Sequence, residues 1–472
     1  MAPAVFKTVG CTKHSGRFDS CHFRSMDNER PDIPQVERVL EDPSISIWFN
    51  RISRPIVVDL VREHLESVRS NWRAAGRCPD YGSIIVEITK TCRRQYLKRP
   101  IPVINCSGVI IHTNLGRAPI SRDVWRRVEE ANTGYLSLEY NIAEGKRGNR
   151  DSLIVPLFSH LVGSESAMVV NNNAAALFLI LSVCAKRREV VVSRGELVQI
   201  GGGFRIPDIL KQSGAKLVEV GTTNITTTDD YIQAITERTA MVLKVHRSNF
   251  AIRGFANTPT TKELSKALPE SIMLVVDQGS GALDHTICGE TGVAEHIESG
   301  AHIVSFSADK LLGSVQAGCI VGSKELLLRL RNSALYRVLR PGKTVLTILE
   351  QTLVDRLNGD RGVPIRMASR SCGEMMHLGN TILEDLPKGK FSLQEAPMTL
   401  GGGSTPDEYI SGIAIRIESD LSPTHISAKL RQMVPPVVGQ IVDKCVLLHL
   451  GTIEPHQIDT LKTNLKQLLQ EL

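Results

Sequence analysis

From Ala167 to Ser305 the chain alternates short β-branched runs with longer helical stretches, and this alternation restricts the fold more than any other feature. Six runs, Ala167–Val170, Glu189–Val192, Lys216–Val220, Ala240–Val245, Ile272–Val276 and His302–Ser305, are short and rich in Val and Ile, as strands are. Strands separated by helices are joined by crossovers, which keep them parallel. The pattern therefore predicts an α/β protein with a mainly parallel sheet covered by helices. In such sheets ligands bind beyond the carboxyl ends of the strands, so the residues just after each run are where chemistry is expected. After about Pro341 the pattern is mixed, with a turn at Gly401–Gly403 and two late strands, Gly412–Ile417 and Lys444–His449, as in a smaller α/β domain.

Ahead of the alternation, Val57, Val58, Leu60, Val61, Leu65 and Val68 recur at helical spacing, so Pro34 to about Tyr96 reads as a small helical domain. The run Lys98, Arg99, Pro100, Ile101, Pro102 stops any helix and serves as a linker. Residues 1–31 show no apolar period and read as a flexible extension. They lack the apolar core of a secretory signal, but are acid-poor up to Asp19; organelle targeting and a start at Met26 are the alternatives to a cytoplasmic protein with an N-terminal extension. The expected division is a flexible segment 1–31, a helical domain 32–97, a large domain 98–345 with a leading linker, and a small C-terminal α/β domain 346–472.

Composition narrows the class further. With 4% aromatic residues, the cores of these 472 residues must be aliphatic. No apolar run reaches the roughly 18–20 residues of a membrane-spanning helix. Ten cysteines, scattered singly from Cys11 to Cys445 without a C-x-x-C pair, read as reduced and structural, and no metal site is expected. The net charge of +6 is uneven: residues 1–100 carry 17 Lys and Arg against 12 Asp and Glu. A basic first fifth suits a polyanionic partner, although so small an excess is also common on solvated helix faces.

Three strand ends carry chemistry. VDQGSG at Val276–Gly281 puts Asp277 at the end of an apolar strand, and 33 residues later Ser307, Ala308, Asp309 and Lys310 follow the next strand. Alone, Asp277 reads as a turn cap and Lys310 as a solvated lysine. Together, beyond neighbouring strands, they match what pyridoxal phosphate needs: a lysine to form a Schiff base and an acid beside the pyridine nitrogen. Upstream, Ala167–Val170 runs into Asn171, Asn172, Asn173 and three alanines at the start of an apolar helix. Asparagine side chains and free helix N-terminal amides make an anion site there, suited to a phosphate.

The segments NCSGVIIHTNLGRAP (Asn105–Pro119), EGKRGNR (Glu144–Arg150), VVNNNAAA (Val169–Ala176), SRGELVQIGGGFRIPDI (Ser193–Ile209), SGAKLVEVGTTN (Ser213–Asn224) and SFSADKLLGSVQAG (Ser305–Gly318) resemble the bacterial L-seryl-tRNA(Sec) selenium transferases, or selenocysteine synthases. The resemblance runs from about Pro34 to the C-terminus. It implies a fold-type I, aminotransferase-like enzyme that uses pyridoxal 5'-phosphate, seryl-tRNA(Sec) and selenophosphate. It also implies a helical N-terminal domain that contacts the tRNA, and a dimer-based homo-oligomer, a ring-shaped decamer. By matching motifs, Lys310 takes the Schiff-base position and Asp277 the pyridine partner's, with Asn172, Asn173 and Ser307 near the cofactor phosphate. Arg117, Arg147 or Arg150, Arg337 and Arg340 fall where the family holds the selenium donor, a multiply anionic group that guanidinium forks suit; surface ion pairing is the alternative at each.

The reaction implied removes water from the serine and adds selenium at Cβ. Lys310 is the base for the Cα proton, and loss of the β-hydroxyl needs an acid, for which Asp309 and His246 are the candidates. The chain departs from the family at Ala308, where glycine is usual, at Ser314 and Val315 in place of Gly-Pro, and at Gln278. Two rival readings are a lyase acting on a small amino acid or amino-sugar acid, with the same lysine and aspartate, and a catalytically silent tRNA-binding homologue. The helical domain and the arginine motifs speak against the first, the intact lysine and anion site against the second.

Overall fold

A computed structural model describes residues 32–470 except 151–152, 201–203, 247–251, 253, 285–288, 388 and 402–408. The extension 1–31 and most of the turn expected at Gly401–Gly403 lie outside the described residues. The chain forms two compact units, one ending at Ile101 and one beginning at Pro102.

In the first unit, helices Val36–Leu40, Pro43–Ser46, Phe49–Ile52, Arg54–Ala75 and Tyr81–Tyr96 enclose an aliphatic core. The spacing of Val57, Val61, Leu65 and Val68 places all four on the buried side of the long helix, facing Ile84, Ile88 and Cys92. Burying each such side chain contributes about 1.5–3 kcal/mol. The Asp80 side chain caps the last helix by accepting from the Ser83 N–H at 2.8 Å.

The second unit is built on a seven-stranded sheet: β1 Ser166–Val170, β2 Glu189–Ser193, β3 Lys216–Val220, β4 Thr239–Val245, β5 Met273–Gly279, β6 Ile303–Ser307 and β7 Gly318–Gly322. Their spatial order is β1-β7-β6-β5-β4-β2-β3. All six expected strands are present, with ends within a few residues of the expected ones. The seventh, β7, was not anticipated, because it returns antiparallel directly from the Lys310 loop and no crossover helix marks it. The remaining six share one direction, so their carboxyl ends lie along one edge. Helix Asn173–Cys184 packs on one face in a core with Met168, Val190, Leu243 and Ile320; Phe158, Val276, Val304 and Phe306 form the core on the other.

A second sheet orders Ile104–Cys106, Val437–Val442, Cys445–His449, Ile413–Ile417 and Phe391–Glu395. Ile104–Cys106 sits within the stretch expected to lead into the large domain, yet it pairs in parallel with Val437–Val442. Pairing across so much intervening chain leaves no local pattern to read. Likewise, the expected division at 345/346 falls inside helix Lys343–Leu357, which packs on helices Arg122–Thr133 and Ile154–Val162.

Candidate active site

The β5 and β6 ladder sets Asp277 opposite Ser305, and Asp277 opposite Val245 on the other side. Strands lie about 4.8 Å apart, so the ends of β4, β5 and β6 bring His246, Asp277 and the Lys310 loop into one row. Asp277 is buried; its Oδ1 accepts from Asn173 Nδ2 at 2.7 Å and from Ser305 Oγ at 3.4 Å. Burial pushes its carboxyl above the usual range, against the opposing effects of Asn173, the Lys310 charge and Ser305. Lys310 is buried too, and burial followed by the Arg117 charge lowers its ammonium, against Asp277, Asp309 and Glu290. Burial thus acts in favour of the neutral amine, the form a nucleophile or base requires.

The loop carrying Lys310 is held from several sides. Ala308 N–H donates to the Ala317 carbonyl at 2.9 Å, Ser314 N–H to Ala308 at 3.0 Å, and Leu311 N–H to Ser280 at 3.0 Å. Gly281 has φ +76, and a Cβ there would stand 2.4 Å from the Ser307 carbonyl, so the turn after Asp277 can close on β6 only with glycine. Residues that depart from the family are absorbed by this frame. The Ser314 hydroxyl meets that of Thr352 at 3.0 Å, and the Gln278 side chain accepts from the Gly281 N–H at 2.8 Å and donates to the Thr291 carbonyl at 3.2 Å.

Arg117 reaches this centre. Its backbone is left-handed, φ 63, and its N–H donates to the His112 carbonyl at 3.0 Å. The guanidinium donates to Asp309 Oδ2 at 2.8 Å, while the Ala118 N–H donates to the Asp309 carbonyl at 3.1 Å. At the end of β1, Asn172 caps helix Asn173–Cys184, accepting from the Ala175 N–H at 2.8 Å. Asn173, also expected near a phosphate, donates from its amide to Asp277.

The other arginines gather around Glu139. Arg150 contacts Glu139 Oε1 at 2.6 and 2.9 Å and donates to the Pro341 carbonyl at 2.8 Å; Arg147 reaches Glu139 Oε2 at 3.0 Å and Arg340 reaches Oε1 at 3.4 Å. The Arg150 hydrogen bond above all holds the Glu139 carboxyl below its usual range. The three arginines line a cavity of about 650 Å³ together with Lys324 and Arg331, and no residue of the Lys310 cluster lines it. Arg337 is exposed on helix Ala334–Leu339. Within one chain, then, the expected anion-binding arginines fall into two groups, Arg117 at the lysine and the others apart from it.

Sequence reasoning missed Ser305, Arg117's engagement of Asp309, and Glu290, a buried acid whose Oε2 lies 3.4 Å from His246 Nε2. Ser305 is signalled only by the strand register and Glu290 by no motif. The cluster suits pyridoxal phosphate: a buried amine, a buried carboxylate that a cation would favour, a capped helix N-terminus, and the buried Oδ1 atoms of Asn173 and Asp309, which have no hydrogen-bond partner among the described residues. Among the described residues no His, Cys, Asp and Glu side chains group as metal ligands.

The family model described as L-seryl-tRNA selenium transferase matches residues 103–454, and one described as selenocysteine synthase N terminal matches residues 32–69. This chain belongs to the L-seryl-tRNA selenium transferase family. The L-seryl-tRNA(Sec) selenium transferase of Clostridium perfringens is 37% identical over 458 residues, covering 92% of this chain and 98% of its own length. Those of Geobacter metallireducens and Aquifex aeolicus are each 38% identical, covering 92% and 93% of this chain and 98% of theirs. Among solved structures, D-glucosaminate-6-phosphate ammonia-lyase shares the fold at a TM-score of 0.59, with 18% identity, over 80% of this chain and 98% of its own. The fold-type I architecture, α/β with a helical N-terminal unit, is the one expected.

Arg117→Ala leaves the buried Asp309 carboxylate without its cation. Because Arg117 is partly exposed, the expected loss is about 1–3 kcal/mol, read from the denaturation midpoint, with Arg117→Lys recovering part of it. An unchanged midpoint in Arg117→Ala would show that the pair does not hold the loop.

Proposed function

We infer that this chain converts L-seryl-tRNA(Sec) to L-selenocysteinyl-tRNA(Sec), with pyridoxal 5'-phosphate as cofactor and selenophosphate as selenium donor. The observation that carries the reading is the buried Lys310 beside Asp277 in a chain that matches the family in both of its units. Family membership tells against the small-molecule lyase: the match to the ammonia-lyase takes in nearly all of that enzyme but leaves a fifth of this chain unmatched, and the helical unit has a family match of its own.

In this reading Lys310 holds the cofactor and later, as a free amine, takes the serine Cα proton. Bound pyridoxal phosphate supplies a protonated ring that draws electrons from Cα and makes that proton acidic. Asp277, oriented by Asn173 and Ser305, keeps a negative charge at the ring nitrogen. The helix N-terminus capped by Asn172, with Ser307 close to the loop, receives the cofactor phosphate. Arg117 steadies Asp309 next to Lys310, while Arg147, Arg150, Arg337 and Arg340, apart from that lysine within one chain, take the anionic donor where a second copy of the chain brings their face to its Lys310.

The helical unit is read as the tRNA-contacting domain. Its Arg51 guanidinium stacks 5.2 Å from the Trp48 ring centre and 5.9 Å from that of Tyr96, Arg54 lies 5.8 Å from Phe49, and Arg99 donates to the Arg51 carbonyl. A groove of about 390 Å³ runs beside them. Arginines held on aromatic faces are suited to phosphates and bases. A homo-oligomer built from dimers fits the segment around Tyr135, Tyr140 and Ile142, whose large side chains are exposed in the single chain. A cytoplasmic location accords with substrates of protein synthesis, and among the described residues no helix is long and apolar enough to cross a membrane.

Lys310→Ala is expected to lose the visible absorption band of the bound cofactor and all product formation; a retained band would refute the lysine assignment. Replacing Arg51, Arg54 and Arg99 by glutamate should weaken tRNA binding at least tenfold in a filter or fluorescence assay and leave the cofactor band unchanged. Unaltered affinity would remove the helical unit's role.

A further inference from the structure

Glu290 belongs to none of the motifs, yet it is only 1% exposed, and its Oε2 lies 3.4 Å from Nε2 of His246. His246 follows β4, and its N–H donates to the Asp277 carbonyl at 2.9 Å, so the imidazole starts from the strand edge that carries Asp277. The Glu290 charge also reaches Lys310, where it favours the ammonium. The segment after Glu290 is fastened to the turn after Asp277: the Thr291 carbonyl accepts from Gln278 Nε2 at 3.2 Å, and Val293 N–H donates to Ala282 at 2.8 Å.

A carboxylate withdrawn from water is costly, and an apolar side chain of similar size would be less so. A glutamate fixed there therefore calls for a chemical reason. The reaction supplies one, because hydroxide leaves poorly without a proton, while one Asp309 oxygen is engaged by Arg117.

We propose that Glu290 and His246 work as a carboxylate–imidazole pair, His246 donating the proton to the departing β-hydroxyl and Glu290 acting as its positioning residue. The inference rests on the function proposed above. As the Cβ–O bond breaks, both its electrons stay on oxygen, the imidazolium proton passes to that oxygen, and water leaves. The proton leaves from and returns to Nε2, the nitrogen beside Glu290; Nδ1 is enclosed, and the side chain as a whole is 32% exposed. Glu290 holds the imidazolium before transfer against the nearby Lys244 charge, two residues earlier on the same strand and itself 3.3 Å from Glu196. His296, on the helix Val293–Glu298, is pushed down to about 4 by burial, and from β5 the Asp277 carbonyl accepts the His246 N–H.

The test uses cofactor-loaded protein with seryl-tRNA(Sec). The rate of β-hydroxyl loss is followed against pH, and entry of solvent deuterium at the serine Cα is followed separately. A proton donor works below its titration, so the wild-type rate falls as pH rises through it. Glu290→Gln removes the charge that favours the imidazolium and should move that fall to lower pH by about one unit, with Glu290→Asp moving it back. His246→Gln should slow hydroxyl loss about 100-fold while deuterium still enters at Cα. A Glu290→Gln profile that coincides with wild type, or a His246→Gln rate equal to wild type, would overturn the pair. Should Glu290→Gln not load cofactor, His246→Gln decides: slowed hydroxyl loss with an intact visible band and Cα exchange supports the pair, and a wild-type rate contradicts it. Absence of both the band and Cα exchange in the wild-type protein would instead defeat the underlying function.

Discussion

The active centre depends on burying an amine and a carboxylate at the ends of neighbouring parallel strands. Water would hold Lys310 as a hydrated ammonium and Asp277 as a hydrated carboxylate. Burial acts against both charges, lowering the lysine and raising the aspartate. In the function proposed for the chain, the two groups would receive a ligand that brings its own charge, a cationic ring nitrogen at Asp277 and a carbonyl carbon at the amine. Such a pair persists only in a frame that prevents collapse or hydration. That frame consists of the β5 and β6 register, the glycine turn at Gly281, the loop closed by Ala308 and Ala317, and the Arg117 contact to Asp309.

The arginines show how the remaining chemistry is distributed. Arg117 is drawn through a left-handed turn to the acid next to the lysine, whereas Arg147, Arg150 and Arg340 converge on Glu139, which holds them together. Clustered guanidinium groups repel one another, and one acid among them lowers that cost while leaving donors for an anion.

Much of this is legible in the amino-acid sequence. The parallel sheet follows from β-branched runs at crossover spacing, and the strand-end rule led directly to Asn172, Asp277 and Lys310. The helical unit followed from one face of Val57, Val61, Leu65 and Val68. What stayed hidden depends on distant pairing. Strand β7 lacks a crossover helix, Ile104–Cys106 finds its partner at Val437, and the meeting of Asn173 with Asp277 or of Glu290 with His246 joins separate strand ends. Asn173 illustrates the limit well: its helix-start position was legible, but the direction of its amide was set by the neighbouring strands.

The most direct measurement of the central claim is the aminoacyl product made by cofactor-loaded protein from seryl-tRNA(Sec) and selenophosphate, identified by mass spectrometry beside seryl-tRNA(Ser) and free serine. The account predicts selenocysteinyl-tRNA from seryl-tRNA(Sec) alone. Intact substrate recovered from all three, with cofactor demonstrably bound, would contradict it.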